Sequence, residues 1–222
     1  MADDSVWVVI PAYNEEKRIG SVLRKTKRYA RRILVVDDGS SDKTAKVAKQ
    51  AGVLVLRLKK NRGKGGALRA GCDFAVKKGA KLLVNIDADG QHDPALIPKL
   101  IETVEKKKVD VVFTYRLPSG QMPKVHVFGN WVLNMWTKVL FGRTMKDTQC
   151  GYRAFKRTAY PILRWQANRY AMESELAVKC LMSDLKFAEL PIPTVYEPGK
   201  KGVTVWDGIK IAVHLLRLRL KG

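Results

Sequence analysis

Leu82-Leu83-Val84-Asn85-Ile86-Asp87-Ala88-Asp89-Gly90-Gln91 is the stretch around which the chain is organised. An apolar run of strand length drives into two carboxylates one residue apart, followed by an amide. In an extended chain, residues i and i+2 point to the same side. Strand geometry that persists to its end therefore sends Asp87 and Asp89 out together from the carboxyl edge of a sheet, the edge at which open α/β sheets bind ligands. Two carboxylates and an amide oxygen are hard ligands, suited to Mg²⁺ or Mn²⁺ rather than zinc. Such an ion is most useful where a diphosphate must leave. The same residues also read as a strand ending in a polar turn, with Asp93 as the cap and Pro94 as the first residue of the next helix. A lone D-x-D does not separate these readings; its neighbours do.

Working outward, residues 6–10 read as a buried strand broken by Pro11, and from Asn14 a helical pattern puts Ile19, Val22 and Leu23 on one face. Residues 33–36 form a second buried strand ending in the polar cluster 37–42, which leads into a helix with Ala45, Val47 and Ala48. A third strand over 53–58, a glycine-rich loop over 61–66 and a helix over 67–76 precede the central stretch; a helix over 94–107 and a strand over 109–114 follow it. Strand and helix alternate, and the strands are apolar throughout rather than every second residue. That is the mark of a mostly parallel sheet with helices on both faces, joined by right-handed crossovers: an α/β, Rossmann-like fold.

The 222 residues suffice for one large domain with a real core, and 46% hydrophobic with 28% charged residues is a globular balance. The formal net charge of +21 fits a nucleic acid, an anionic membrane surface or a phosphorylated substrate, and also a lysine-rich proteome. Cys72, Cys150 and Cys180 lack C-x-x-C spacing, which predicts neither a disulfide framework nor zinc and points to a reducing interior. His92, His126 and His214 are as dispersed. The acidic start and short first apolar run predict no signal peptide, and the absence of 18 consecutive apolar residues predicts no transmembrane helix.

After residue 117 the pattern changes. A loop over 118–123 leads to a segment over 125–141 that is apolar on nearly all sides and rich in Trp, either a core helix or one lying in a membrane interface. Residues 147–155 show no simple periodicity. A helix is expected over 173–182, an extended segment over 190–196 and a basic loop over 197–202. The tail, 206–220, reads as a helix with Lys210, His214, Arg217 and Lys221 as a basic stripe beside Trp206, Ile209, Val213, Leu216 and Leu220. A basic amphipathic helix is a membrane-surface signal, and equally a helix packed on its domain with its charges in water.

Four polar clusters should thus converge at one sheet edge: Pro11-Ala12-Tyr13-Asn14-Glu15, residues 37–42, residues 61–66 and residues 87–91. At this spacing the set resembles the inverting family 2 glycosyltransferases of the GT-A fold, and within them the polyprenyl-phosphate sugar transferases, the dolichyl-phosphate mannose and glucose synthases. Asp147-Thr148-Gln149-Cys150-Gly151-Tyr152 is similar to a stretch of the dolichyl-phosphate glucosyltransferase branch and leans towards UDP-glucose over GDP-mannose. The resemblance spans roughly residues 5–205 and divides the chain into a nucleotide-sugar half (1–117), an acceptor half (118–205) and a basic terminal helix (206–222).

The resemblance implies a role for each cluster. Pro11, Ala12, Tyr13 and Glu15 would cradle the nucleoside, Tyr13 against the base and Glu15 on ribose hydroxyls. Asp38 would accept from a ring N–H of uracil or guanine, with Asp37 as turn-former and Ser40 or Ser41 capping the next helix. Asp87 and Ala88 would lie near the ribose or sugar, with Asp89 and Gln91 as ligands of Mg²⁺ or Mn²⁺. Arg62 and Lys64 suit anion contacts, and Gly63, Gly65 and Gly66 close backbone approach. Arg116 and Lys200 or Lys201 would face the diphosphate or the acceptor phosphate. Many fuller members carry transmembrane helices that this chain lacks, so the expectation is a peripheral enzyme at the cytoplasmic face of a membrane.

A lipid phosphate is largely dianionic at neutral pH, its second pKa being about 6, and can attack the anomeric carbon without a protein base. A sugar hydroxyl as acceptor would need a carboxylate base. Asp147 is the candidate for it, ahead of Glu173 and Glu175, which two residues apart on a helix cannot face one substrate together. A family 2 enzyme acting on a glycan is therefore the alternative. A non-enzymatic nucleic-acid binder is a distant one, because the basic residues are not interleaved with exposed aromatics and no binding motif appears; no nucleic-acid partner is expected.

Overall fold

A computed structural model describes residues 3–117, 124–193 and 204–221. Among them, seven strands form one sheet in the order β3-β2-β1-β4-β6-β5-β7: β1 (Val6–Ala12), β2 (Arg32–Asp37), β3 (Leu54–Arg57), β4 (Leu82–Asn85), β5 (Val111–Arg116), β6 (Arg153–Lys156) and β7 (Phe187–Ile192). The first four pair in parallel, as the uninterrupted apolar strands predicted. Successive residues of β1 feed opposite faces: Val8 and Ile10 enter a core with Ile19 and Leu23 of α1 (Ile19–Thr26), and Trp7 and Val9 one with Leu68 and Cys72 of α3 (Gly63–Lys77). The first core also holds Leu100 of α4 (Ile97–Lys106) and packs Val47 of α2 (Thr44–Gln50); the second holds Leu163 of α6 (Tyr160–Leu163) and Leu176 of α7 (Ala171–Leu181).

The sequence reading missed β6. It is four residues long, opens on an arginine and runs antiparallel to both β4 and β5. This reversal positions the site: Arg153 pairs with Asn85 at the end of β4 and with Phe113 in β5, so the segment 147–152 arrives at the same carboxyl edge as Asp87. Arg153 is buried and donates to the carbonyls of Cys150, Thr148 and Glu173, which fixes that segment from beneath.

Other differences are local. β5 falls two residues after its expected position, β7 starts three residues before the extended segment expected from residue 190, and β3, at the sheet edge, is half exposed. The helix expected from residue 67 starts at Gly63, so the glycine-rich segment is its first turn rather than a loop. Neither Ser40 nor Ser41 caps α2; Asp42 accepts from the Thr44 amide, and both serines bond to Asn14. Asp93 does cap, accepting from the Ala95 amide, with Pro94 opening a 3-10 turn ahead of α4. The loop 118–123, the whole of the basic loop 197–202 and the last three residues of the extended segment expected over 190–196 lie outside the described residues.

Two long helices sit beside this body. α5 (Lys124–Phe141) and α8 (Val205–Lys221) bury Leu133, Ile211 and Leu215 against Val178 of α7, and Trp136 Nε1 donates to the Ala212 carbonyl at 3.1 Å. Each leaves an opposite face exposed and apolar, including Phe128 and Trp131 on α5 and Trp206 and Ile209 on α8. No helix among the described residues is long and apolar enough to cross a membrane.

Candidate active site

The carboxyl ends of β1, β2 and β4 open on a cleft of about 320 Å³. Its wall brings together Pro11, Ala12, Tyr13, Glu15, Asp38 and Lys64 with Asp87, Ala88 and Asp89. Residues from all four predicted clusters therefore meet in one place. The β1–α1 turn is closed by Asn14, in the left-handed region at φ 55°, whose side-chain oxygen accepts from the Ser41 amide at 2.9 Å while its own amide donates to Ser40 Oγ at 3.0 Å. The Glu15 amide donates to Thr44 Oγ1 at 2.8 Å, so the first two clusters are laced to each other. Asp37 is the turn-former expected of it: buried, it accepts from the Ser40 amide and pairs with Arg57. Asp38 turns to the cleft and accepts from the Arg62 amide at 2.7 Å; burial nonetheless pushes its carboxyl above the ordinary range.

Lys64 fills the floor. Its Nζ lies 2.8 and 2.9 Å from the two oxygens of Asp87 and 2.9 Å from Oε1 of Glu173. Burial alone would lower its pKa; the two carboxylates outweigh that and hold the ammonium well above its usual value. Gly151 makes room for this cluster, since a Cβ there would stand 2.7 Å from Lys64 Nζ. Glu173 and Glu175 do face different partners: Glu173 points to Lys64, and Glu175 to the segment before α7 and to His214.

Gln91, Arg116 and Asp147 stand outside the cleft wall. The Gln91 amide donates to Asp89 Oδ1 at 3.0 Å, folding the end of the central stretch into a tight turn. Arg116, at the end of β5, grips Asp147 with a two-toothed contact, Nε to Oδ2 at 2.7 Å and Nη2 to Oδ1 at 3.0 Å. Lys200 and Lys201 lie outside the described residues. Asn61, from the predicted cluster 61–66, also lines the cleft, as do Arg169 and Tyr170, which were not assigned to it from sequence. Arg169 and Tyr170 carried no signal there, being an isolated pair ahead of a helix in a stretch without periodicity. The glycines of α3 also serve a different neighbour than expected: a Cβ on Gly63 would come 2.5 Å from the Asn168 carbonyl, and one on Gly65 would collide with that of Ala167. The close approach is to the segment carrying Arg169.

Among the described residues no three His, Cys, Asp or Glu side chains gather into a self-sufficient metal site. Asp89 and Gln91 offer oxygen donors only, which fits a hard divalent ion completed by water and substrate phosphate oxygens.

Residues 7–160 match the description "Glycosyl transferase family 2". A UDP-N-acetylglucosamine–dolichyl-phosphate N-acetylglucosaminyltransferase of Methanococcus voltae is 33% identical over 246 residues, covering 99% of this chain and 98% of its own length. A dolichyl-phosphate beta-glucosyltransferase of Trichomonas vaginalis is 31% identical over 240 residues, covering 96% and 72%. In fold, the chain is similar to glucosyl-3-phosphoglycerate synthase of Mycobacterium tuberculosis, crystallised with Mg²⁺ and uridine diphosphate, with a TM-score of 0.77, 20% identity and coverage of 96% and 78%. With the strand-end clusters gathered in one cleft on a fold of that type, the chain belongs to glycosyl transferase family 2 and is a glycosyltransferase.

Proposed function

We propose that this enzyme moves a hexosyl group, from UDP-glucose, a UDP-N-acetylhexosamine or GDP-mannose, to a polyprenyl or dolichyl phosphate with inversion at the anomeric carbon. The Arg116–Asp147 pair carries this reading. A sugar hydroxyl would need a base free to take its proton, and both oxygens of Asp147 are engaged by the guanidinium. A phosphate monoester arrives already ionised. The names of the two relatives above point to the same acceptor class.

In this reading Tyr13 stacks on the base, Asp38 accepts from its ring N–H and Glu15 binds the ribose, while Asp87 and Ala88 border the sugar. Asp89 and Gln91 would hold Mg²⁺ or Mn²⁺, which when bound neutralises charge on the departing diphosphate. An oxygen of the acceptor phosphate donates its electron pair to the anomeric carbon. The bond from that carbon to the β-phosphate oxygen breaks, and its electrons leave with the nucleoside diphosphate. No proton needs to move. Arg116, Lys64 and Arg169 supply positive charge on the chain's side, and Lys200 or Lys201 would add to it.

The exposed apolar faces of α5 and α8, with Lys138, Lys210 and Arg217 also exposed, support a peripheral seat on an anionic membrane surface. The three cysteines are buried and unpaired, which suits the cytoplasmic face.

The deciding experiment offers each of these donors with a short-chain polyprenyl phosphate and Mn²⁺ or Mg²⁺. Chelator-sensitive transfer to the lipid phosphate is expected. Donor binding with transfer only to a sugar hydroxyl would overturn the acceptor assignment.

A further inference from the structure

His214 belongs by its spacing to the basic stripe of α8, which the sequence turns either to a membrane surface or to water. It faces the protein instead: its Nε2 lies 3.0 Å from Oε2 of Glu175, and the Glu175 side chain has no exposed surface. Glu175 is fully engaged. Beyond His214, it pairs with Lys179 at 3.0 Å and accepts from the Gln166 amide at 2.8 Å and the Ala167 amide at 2.9 Å. Burial would raise its pKa; the hydrogen bonds from His214, Ala167, Gln166 and Lys179 outweigh that and bring it to about 2.

The two backbone amides belong to a strap, residues 165–170, that lies across the start of α3. Trp165 Nε1 donates to the Gly65 carbonyl at 2.7 Å, and the Gly66 amide to the Asn168 carbonyl at 3.0 Å. Arg69 donates to the carbonyls of Trp165 and Gln166 and to Asn168 Oδ1. The strap delivers Arg169 and Tyr170 to the cleft wall, and the turn it presses on carries Lys64. At its other end, Arg169 acts electrostatically on Asp207 in the first turn of α8. An unbroken chain of contacts thus runs from the terminal helix, through one buried carboxylate, to both walls of the cleft.

We propose that Glu175 and His214 form a latch through which the seating of α8 sets the geometry, and so the affinity, of the donor cleft. Both are positioning residues, since neither lines the cleft. The coupling rests on the reading of that cleft as the nucleotide-sugar site. Because coupling between two sites is reciprocal, whatever holds α8 in place tightens donor binding, and a bound donor in turn secures α8. Coupling energies of this kind usually change affinity by about 5- to 150-fold.

The test compares His214→Ala, His214→Gln and, as a control on the outward face of α8, Lys210→Ala. UDP and GDP binding with Mg²⁺ is measured by calorimetry, thermal melting is recorded, and hydrogen exchange is followed in peptides covering 164–170. His214→Ala should raise the dissociation constant at least about fivefold, the lower end of that range, and speed exchange at Gln166 and Ala167, with cooperative melting retained. His214→Gln, which restores an N–H donor, should recover most of both, and Lys210→Ala should change neither. Unchanged affinity and exchange in His214→Ala overturns the latch. Faster exchange with unchanged affinity overturns the coupling. Failure of the unaltered enzyme to bind either nucleotide overturns the reading of the cleft, and the coupling with it.

Discussion

Lys64 makes the two carboxylates of the D-x-D unequal. Asp87 gives both oxygens to its ammonium, while Asp89 accepts from the Gln91 amide and lines the cleft. The two should therefore respond differently to substitution. Asp89→Ala is expected to change stability by no more than about 0.5 kcal/mol, as surface-facing changes do, and to abolish the metal-dependent part of nucleotide-sugar binding. Asp87→Ala removes one of the two carboxylates on a half-buried cation, leaving Lys64 with Glu173 alone, and should cost about 1–3 kcal/mol of stability as well. Thermal melting together with donor titration, each with and without chelator, separates the outcomes. A normal metal response in Asp89→Ala would remove Asp89 from the ion. The residue scale was where sequence served best: nine of the predicted site residues line the cleft, because strand ends and polar clusters are local features. Arg116 and Asp147 were both named, but their mutual grip depends on β6 and was invisible.

At the scale of elements, the first four strands were legible because a sheet covered on both faces needs continuous apolar runs. β6 was not, because four residues beginning with a buried arginine match neither a strand nor a helix period. The start of α3 was misplaced for a related reason: three glycines in its first turn read as a loop, yet two of them, Gly63 and Gly65, are required by the strap lying against them. In an ordinary helix interior, alanine would stabilise such a position by about 1 kcal/mol relative to glycine. At Gly65 the sign should reverse. The added Cβ meets the Ala167 carbonyl and stands 3.0 Å from Met172 Cβ, so Gly65→Ala is expected to cost about 1–3 kcal/mol, the usual price of overpacking, read as a lower melting temperature. The joint between α7 and α8 predicts a pH dependence. The Glu175 carboxyl is brought from its ordinary 4.5 down to about 2 by the hydrogen bonds it accepts in the fold. A carboxylate depressed on folding contributes stability that is complete above the unfolded value and lost as pH falls through the folded one. That contribution, about 3 kcal/mol, should fade between about pH 4.5 and pH 2. In Glu175→Gln the acid limb of the stability profile should flatten across that window. An unchanged limb would mean that other carboxylates govern acid unfolding.

For the molecule as a whole, the +21 charge and the apolar faces of α5 and α8 are two parts of one argument. The composition of the segment 125–141 suits a core helix or an interfacial one, and the helix divides between them: Leu133 and Thr137 are buried against the body, while Phe128 and Trp131 stack on each other in the open at 63% and 57% exposure. Trp206 on α8 is 72% exposed. Apolar burial alone would bind any lipid surface weakly; Lys and Arg near an anionic one add about 1 kcal/mol each and are screened by salt. Both helices also reach the site. Asn134 of α5 accepts from Thr148 beside Asp147, and α8 reaches the strap through Glu175. The enzyme is expected to partition onto vesicles containing phosphatidylglycerol but not onto pure phosphatidylcholine, with a blue shift in tryptophan emission. Trp7 and Trp165 are buried, so Trp131 and Trp206 should dominate that shift. Raising the salt from 0.05 to about 0.5 M, where the Debye length falls below about 5 Å, should weaken binding at least tenfold. Trp206→Glu should weaken it at low salt while leaving the melting temperature within a few degrees. Equal partition onto both kinds of vesicle would assign the basic charge to another partner, and no partition onto either would leave α5 and α8 awaiting a protein surface.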